Sequence, residues 1–246
     1  ALRPHALGRF EDLLVATARH PAMLLYLDNA RSRAAKETPT GERRGGLNEN
    51  YARELLELHT LGVDGGYVQA DVEGAARVLT GWSVRRPQEG GVGFLFRSAG
   101  HDRSEKTVLG QRFAAGGGEE EGRSLLTLLA KHPSTARHLG RKLCARFVAD
   151  HPPAACVDAA AKAYRESDGD IARVVRSIAE HESFWMPVVR GKKLKSPLEL
   201  VVSSARALGA TTDGSLALAR VLERMGEPIL LESVPTGHPE AEAEWV

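Results

Sequence analysis

The sequence predicts a mainly α-helical protein: a multi-helix globular bundle of about nine or ten helices with one small β-hairpin. Three observations predict this class. Apolar residues recur at i, i+3, i+4 and i+7 along most of the chain, which is the period of one helix face. Residues that start helices (Asn, Asp, Ser, Pro) and glycines that end them flank these stretches. Only residues 92–113 combine β-prone runs with glycines.

The first two helices are predicted over residues 7–19 and 21–29. The first has one side formed by Phe10, Leu13, Leu14 and Thr17. Pro21 interrupts the pattern and opens the second helix, because proline suits the first helical position. Residues 31–46 are polar and contain one proline and three glycines, so we expect a mobile surface loop there.

The most clearly marked helix is predicted over residues 48–61. The side-chain oxygen of Asn48 can accept a free backbone N–H of its first turn. Gly62 supplies a residue that adopts the left-handed conformation found at helix ends. A further helix is predicted over residues 70–80, and Gly81 ends it.

Two β-prone runs follow, over residues 92–97 and 106–113. They lie in a glycine-containing stretch, so we expect them to pair with each other as a hairpin insertion spanning 92–113. More helices are then predicted over residues 119–131, 133–149, 153–166, 170–184, 196–208 and 215–225. Asp170 and Ser196 are the expected N-caps of two of them. The three prolines after residue 226 predict an extended tail over 227–246.

The composition is that of a globular protein, with 42% hydrophobic and 26% charged residues in 246. This length fits a single helical domain over residues 1–246. The chain begins within helix-like sequence, so we expect it to be the C-terminal portion of a longer protein. Lysine and arginine number 33 against 32 acidic residues, a balance that gives no support to a nucleic-acid partner. No apolar run approaches the roughly 18 residues of a transmembrane helix.

The two cysteines, Cys144 and Cys156, lie within apolar helical patterns. A disulfide framework needs more cysteines, and a zinc site needs further ligands at fixed spacing nearby. Because free cysteine is often buried, we expect two buried thiols.

One segment is specific enough to suggest a family. Residues 46–82, GLNENYARELLELHTLGVDGGYVQADVEGAARVLTGW, resemble the signature of the bacterial DUF1800 family. Residues 9–29, His101-Asp102 with Lys106 and Gly110, residues 132–148 and residues 195–209 are similar to further family motifs in the same order. The resemblance covers nearly the whole chain, although the upstream region is missing and His238 stands where an aromatic residue is more usual.

The resemblance implies a mostly helical bacterial protein without an established activity. It implies a longer, commonly exported precursor, hence an extracytoplasmic location, periplasmic or secreted, with a signal peptide outside this chain. It also implies a sulfatase-like partner protein that is often encoded nearby.

The predicted helix over residues 48–61 carries a polar stripe. At about 100° per residue, a single face holds Asn50, Arg53, Glu54 and Glu57. If the stripe faces a cleft, the two carboxylates can share a divalent metal, or one can act as a base while the other stays charged. The alternative is a solvated face with ion pairs at i, i+4. His59 points away from the stripe, so we expect it to be a structural residue or to support the site indirectly.

His101 and Asp102 form a second polar group between the predicted strands. Such a pair can bind a metal or work as an acid–base couple, or it can simply form a turn. Together with the stripe it would give the metal ligands Glu54, Glu57, His101 and Asp102. Arg53 would orient an anionic group or hold a carboxylate, and Asn50 would donate a hydrogen bond.

These observations lead to a main hypothesis and two alternatives. The main hypothesis is a metal-assisted extracytoplasmic hydrolase with its catalytic site at Asn50, Arg53, Glu54, Glu57, His101 and Asp102. The first alternative is a non-catalytic binding or assembly partner of the sulfatase-like protein. The second is a purely structural ion-pair network around the acidic stripe, which would need a cation such as Arg53 or Lys106 as counter-ion.

Overall fold

The computed structural model describes residues 2–37, 43–191, 193–212, 214–229, 231, 234–238 and 241. In this part of the chain the helices are α1 (Phe10–Ala18), α2 (Pro21–Tyr26), α3 (Asn50–Glu57), α4 (Gln69–Leu79), α5 (Glu119–Lys131), α6 (Pro133–Phe147), α7 (Ala154–Glu166), α8 (Ile171–Glu180), α9 (Glu182–Trp185), α10 (Pro197–Ala207) and α11 (Leu216–Arg224). The strands are β1 (Arg33–Glu37), β2 (Arg43–Gly46), β3 (Trp82–Arg85), β4 (Gly93–Phe96), β5 (Lys106–Val108) and β6 (Gln111–Phe113). The mainly α-helical prediction is confirmed.

Local capping signals set several helix starts as the sequence predicts. The side chain of Asp170 accepts a hydrogen bond from the backbone N–H of Arg173 at 2.9 Å. Ser196 and Glu199 form a reciprocal capping box at the start of α10. The predicted helix over 170–184 is in fact two helices, because His181 ends α8 and caps α9 by accepting from Ser183 N–H through Nδ1. His20 and His132 cap α2 and α6 in the same way.

The strands pair differently from the predicted hairpin. β4 pairs antiparallel with β3, and β5 pairs with β6, so residues 92–97 and 106–113 do not pair with each other. Short connections explain the difference. Leu109 and Gly110 have φ of 50° and 75°, as a two-residue hairpin turn requires. In the sheet formed by β3 and β4, the rings of Trp82 and Phe94 pack edge to face with centroids 5.1 Å apart.

The expected mobile loop over 31–46 is also partly wrong. Residues Arg33–Glu37 and Arg43–Gly46 form the antiparallel pair β1–β2, which polar composition alone did not indicate. Residues 38–42 of that loop lie outside the described residues.

α3 is shorter than the predicted helix over 48–61. The Oδ1 of Asn48 accepts a hydrogen bond from the backbone N–H of Asn50 at 2.9 Å, as expected of a residue at the helix start. After Glu57 the last turn widens, because the N–H of Leu61 donates to the carbonyl five residues earlier. Gly62 then takes the predicted positive φ, 86°.

The buried core is formed mainly by α1–α8 together with β3 and the hairpin β5–β6. α4 packs directly on β5, and Gly74 permits the close approach because a Cβ there would collide with the carbonyl oxygen of Thr107. This contact places residues 98–106 beside the C-terminal end of α4. Among the described helices, none is both long and apolar enough to cross a lipid bilayer. The described residues of the tail after 226 contain neither helix nor strand, and the single domain and extended tail stay predictions.

Candidate functional site

The polar stripe of α3 forms a network at the surface between α3 and the start of α4. The guanidinium of Arg53 donates to Gln69 at 2.8 Å and lies 3.4 Å from Glu57 and 3.5 Å from Glu49. Its side chain is 38% exposed, and Asn50 is exposed as well. The expected juxtaposition of Arg53 with the acidic residues is therefore present, in contact with solvent.

The two stripe carboxylates differ in their surroundings. Partial burial raises the pKa of Glu54, and the nearby charge of Glu57 raises it further. Glu57 faces Tyr67, whose pKa is raised to about 12 by burial and by the hydrogen bond to Glu57. These contacts join α3 to the loop that leads to α4.

His101 and Asp102 lie elsewhere, at the C-terminal end of α4. The Nδ1 of His101 is 2.8 Å from the carbonyl oxygen of Thr80. Asp102 accepts hydrogen bonds from Arg77 Nε at 2.8 Å and from Ser104 N–H at 2.9 Å. Burial opposes the charge of Asp102, but the hydrogen bonds from Arg77 and Ser104 prevail and lower its pKa to about 2.

The predicted metal ligands are not brought together. The stripe contacts Gln69, the first residue of α4, whereas Asp102 binds Arg77 eight positions further along, which is about 12 Å of helix. Among the described residues, no three His, Cys, Asp or Glu side chains are close enough to hold a metal ion. In the part of the chain that the structure describes, Glu54, Glu57, His101 and Asp102 therefore do not form one ligand group, because most of the length of α4 separates the two pairs, and their assignment to a site stays a prediction.

The structure brings His101 together with two residues outside the predicted site. The Nζ of Lys106 lies 2.5 Å from the Oε2 of Glu121 and also donates to the backbone oxygen of Asp102. The Nε2 of His101 is 3.5 Å from the same Oε2. The side chains of His101, Lys106 and Glu121 are only 2%, 0% and 4% exposed. We call these three residues the buried triad.

The hydrogen bonds around the buried triad leave one place for an additional proton, between His101 Nε2 and Glu121 Oε2. A carbonyl oxygen only accepts, so the Nδ1 of His101 must donate to Thr80. A neutral His101 then has a lone pair on Nε2, and that lone pair faces a carboxylate oxygen. Neither His101 Nε2 nor Glu121 Oε1 has a hydrogen-bond partner among the described residues. A single proton between Nε2 and Oε2 would turn an unfavourable contact into a hydrogen bond.

Glu121 also lines a cleft of about 460 Å³ between the β6 end of the hairpin and α5. The other residues around this cleft are Gln111, Arg112, Phe113, Ala114, Gly117, Glu120, Ser124, Thr127 and Leu128. Gly117 covers the carboxylate: a Cβ at this position would lie 2.7 Å from Cγ and 3.1 Å from Oε1 of Glu121. The absence of a side chain at residue 117 therefore keeps room for Glu121 beside the cleft.

Aromatic rings close the other side of the triad. The rings of Phe96 and His101 pack edge to face with centroids 5.3 Å apart. Trp82 is buried against Gly122, where a Cβ would collide with the indole ring. These rings give part of the triad apolar surroundings, in which charges interact more strongly than in solvent.

The sequence interpretation missed the role of Glu121. It stands four residues before Leu125 and eight before Leu129, so it continues the buried face of α5. An acidic residue in an apolar stripe is the signal that could have identified it. Lys106 appeared in the family resemblance and as a counter-ion for the α3 stripe, and nothing in its spacing from Glu121 indicates contact.

A family model described as "Protein of unknown function (DUF1800)" matches residues 1–246 of the chain. No curated protein matches, and no solved structure matches.

Proposed function

The chain belongs to the DUF1800 family, whose model spans residues 1–246, and from this premise we propose a hydrolase that uses Glu121 as its general base. The reaction takes place in the cleft between the β5–β6 hairpin and α5. One observation carries the proposal: Glu121 is a buried carboxylate that lines a cleft. Lys106 holds one of its oxygens, and the other has no hydrogen-bond partner among the described residues.

Lys106 is a positioning residue in this proposal. Its ammonium balances the charge of Glu121 and holds Oε2, so Oε1, which has no described hydrogen-bond partner, is the oxygen that would act on a bound molecule. The Nε2 of His101 lies 3.5 Å from the same Oε2, so His101 holds this oxygen only when a proton lies between the two atoms. A buried, pre-arranged base of this kind costs little reorganisation during the reaction.

The proposed step is the hydrolysis of a carboxylic ester. Oε1 of Glu121 takes a proton from a water molecule while the water oxygen bonds to the carbonyl carbon of the substrate. The bond from that carbon to the leaving oxygen then breaks, and the leaving alcohol takes the proton from Glu121. The products are an acid and an alcohol, and Glu121 is again ionised.

The charges around the cleft favour neutral over anionic substrates. Glu120 and Glu121 both line the cleft, and their field opposes a phosphate or sulfate group. Arg112 is the cation of the lining, but it is paired with Glu105 at 2.5 Å. A neutral ester therefore suits this cleft better than a phosphate ester.

Metal assistance has no support from the ligand geometry. Asp102 is engaged by Arg77, and the ammonium of Lys106 stands at Glu121 where a cation would have to bind. The proposed reaction therefore uses only Glu121 and a water molecule. The expected extracytoplasmic location remains part of the proposal.

The test is ester hydrolysis by the purified chain, with p-nitrophenyl acetate as the probe and p-nitrophenyl phosphate as the comparison. We expect the acetate alone to be hydrolysed, and Glu121→Gln to lower the rate by at least about 100-fold. Glu166→Gln is the control, since Glu166 is an exposed glutamate of α7 outside the lining of this cleft, and it should leave the rate unchanged.

Folding of each variant is checked by its melting temperature. Glu121→Asp keeps a carboxylate but withdraws it, so its rate should lie between those of wild type and Glu121→Gln. An inactive wild-type chain, or a folded Glu121→Gln that hydrolyses acetate normally, would refute the proposal.

A second candidate function is assembly with a sulfatase-like protein. Its support is a group of exposed apolar residues near and within α10, namely Trp185, Val188, Leu194, Leu200 and Leu208. Co-purification with the co-expressed sulfatase-like protein tests it. Loss of the complex on Leu208→Ser, with retention of the complex by Glu121→Gln, would favour assembly over catalysis.

A purely structural ion-pair network is the third reading, and it applies best to the α3 stripe. Arg53 bridges Glu49, Glu57 and Gln69 there, at the joint between α3 and α4.

A further inference from the structure

The two cysteines of the chain lie against each other in the core. Cys144 is on α6 and Cys156 is on α7, and both are fully buried. Their Sγ atoms are 3.1 Å apart although the residues are 12 positions apart in sequence. The sequence predicted two buried thiols, which is confirmed, but it did not indicate that they touch.

Small residues explain why the helices come so close. A Cβ on Gly140 would lie 3.2 Å from the backbone of Val157 and 3.3 Å from the Cβ of Ala160. Gly140 is one turn before Cys144 on α6, and Ala160 is one turn after Cys156 on α7, so all four share the contact face. This close approach of the backbones brings two side chains as short as cysteine into range of a covalent bond.

We propose that Cys144 and Cys156 form a disulfide that joins α6 to α7 when the chain folds in contact with a disulfide oxidant. The oxidant is a small-molecule or protein disulfide. The thiolate of one cysteine attacks it and releases one thiol, and the second cysteine then displaces the other thiol. The two cysteines together lose two protons and two electrons, and the oxidant gains both as it is reduced to two thiols. An exported chain would meet such an oxidant, whereas a reducing cytosol would keep both thiols.

The bond should form before the core closes. Both sulfur atoms are inaccessible in the folded chain, so an external disulfide cannot reach them. Burial also raises the pKa of the Cys144 thiol, and contact with Cys156 raises it further, so little thiolate is present after folding. We therefore expect oxidation during refolding and very slow oxidation of the folded, reduced chain.

The bond closes a short loop that contains the turn between the two helices. Lys193 already ties this region together, since its Nζ donates to the carbonyl of Ala145 and to Asp150. Constraining the unfolded chain should raise the melting temperature of the oxidised protein by about 5–10 °C over the reduced protein.

The test compares the full chain refolded from the reduced, denatured state with and without oxidised glutathione. Intact mass should show the loss of two hydrogen atoms only in the oxidised sample. Peptide mapping should link Cys144 to Cys156, and both thiols should resist alkylation after denaturation. A Cys144→Ala/Cys156→Ala double variant is the matched control, and its melting temperature should not respond to the oxidant.

A sample that keeps two alkylatable thiols after oxidative refolding would overturn the inference. So would a disulfide between two chains, or an internal disulfide that lowers the melting temperature. None of these results depends on ester hydrolysis, so this inference and the proposed hydrolase can fail separately.

Discussion

The Nζ of Lys106 and the Oε2 of Glu121 lie 2.5 Å apart within the core, joining the first residue of β5 to the first turn of α5. Both side chains are almost fully shielded from solvent. Placing two charges there has a high desolvation cost, which the contact between them offsets only while both partners are present. This pair fixes the geometry of the candidate site and makes it sensitive to substitution.

Lys106→Met should destabilise the chain strongly, because it leaves the carboxylate of Glu121 buried without its counter-ion. We expect a loss of about 3–5 kcal/mol in the free energy of unfolding, measured by urea denaturation. Lys162→Ala is the control, because Lys162 and Glu166 are 3.8 Å apart and about two-thirds exposed, and its cost should stay below about 1 kcal/mol. Equal costs for the two variants would show that Lys106 is not buried as described.

Gly117→Ala should disturb the carboxylate of Glu121 without straining the backbone. The added Cβ would lie 2.7 Å from Cγ of Glu121, so the side chain must move and its contact with Lys106 must weaken. We expect a loss of about 1–3 kcal/mol, as for other overpacked sites. Gly93→Ala meets open space and should change the free energy of unfolding by no more than about 0.5 kcal/mol. If Gly117→Ala changes the free energy of unfolding as little as Gly93→Ala does, Gly117 does not lie against Glu121 as described.

The stability of the chain should depend on pH through Asp102. Its pKa is about 2 in the folded chain against the ordinary 3.8. The folded state thus binds the proton less readily than the unfolded state, so this contribution is complete above about pH 4 and is lost as pH falls towards about 2.

Asp102→Asn should therefore be less stable than wild type near pH 7, and the two curves should converge as the pH falls towards about 2. Urea denaturation over this range measures the difference. Asp158→Asn serves as the control, since the pair of Asp158 with Arg137 is mostly exposed, and it should show a much smaller gap. If the difference in the free energy of unfolding between wild type and Asp102→Asn stays constant with pH, the lowered pKa of Asp102 is contradicted.

Arg53→Ala should have a modest effect because its ion pairs with Glu49 and Glu57 are open to solvent. We expect a cost below about 1 kcal/mol in thermal or urea unfolding, and screening by salt should reduce it further. Both Arg53→Ala and Glu54→Gln should leave the rate of ester hydrolysis unchanged. A large loss of activity in either variant would contradict a site at Glu121 and indicate that the α3 stripe is catalytic.

Much of the fold could be predicted because its signals are local. Asp170, Ser196 and Asn48 hydrogen-bond to backbone groups within three residues, so the sequence alone indicates where α8, α10 and α3 start. Strand pairing was predicted less well. Residues 92–97 and 106–113 are both β-prone, but composition does not say which partner each strand takes, and shorter connections decided it.

The candidate site could be predicted only in part, since only His101 of the buried triad belongs to the predicted site. The polar stripe was correctly placed on one helix face, but helical period does not reveal which way that face points. Arg53 and its carboxylates lie at the surface, whereas the buried acid is Glu121, hidden among residues that the sequence presents as a charged helix start. Burial decides which carboxylate is chemically unusual, and burial is a tertiary property.

The sequence by itself determined the helical class, the family and most helix starts, because periodicity, caps and motifs act over a few residues. Tertiary structure alone decided that Lys106 meets Glu121 and that Cys144 meets Cys156. These contacts depend on how closely α4 packs on β5 at Gly74 and α6 on α7 at Gly140. The physical reason is that a close approach of two backbones depends on both surfaces at once, and neither segment carries that information alone.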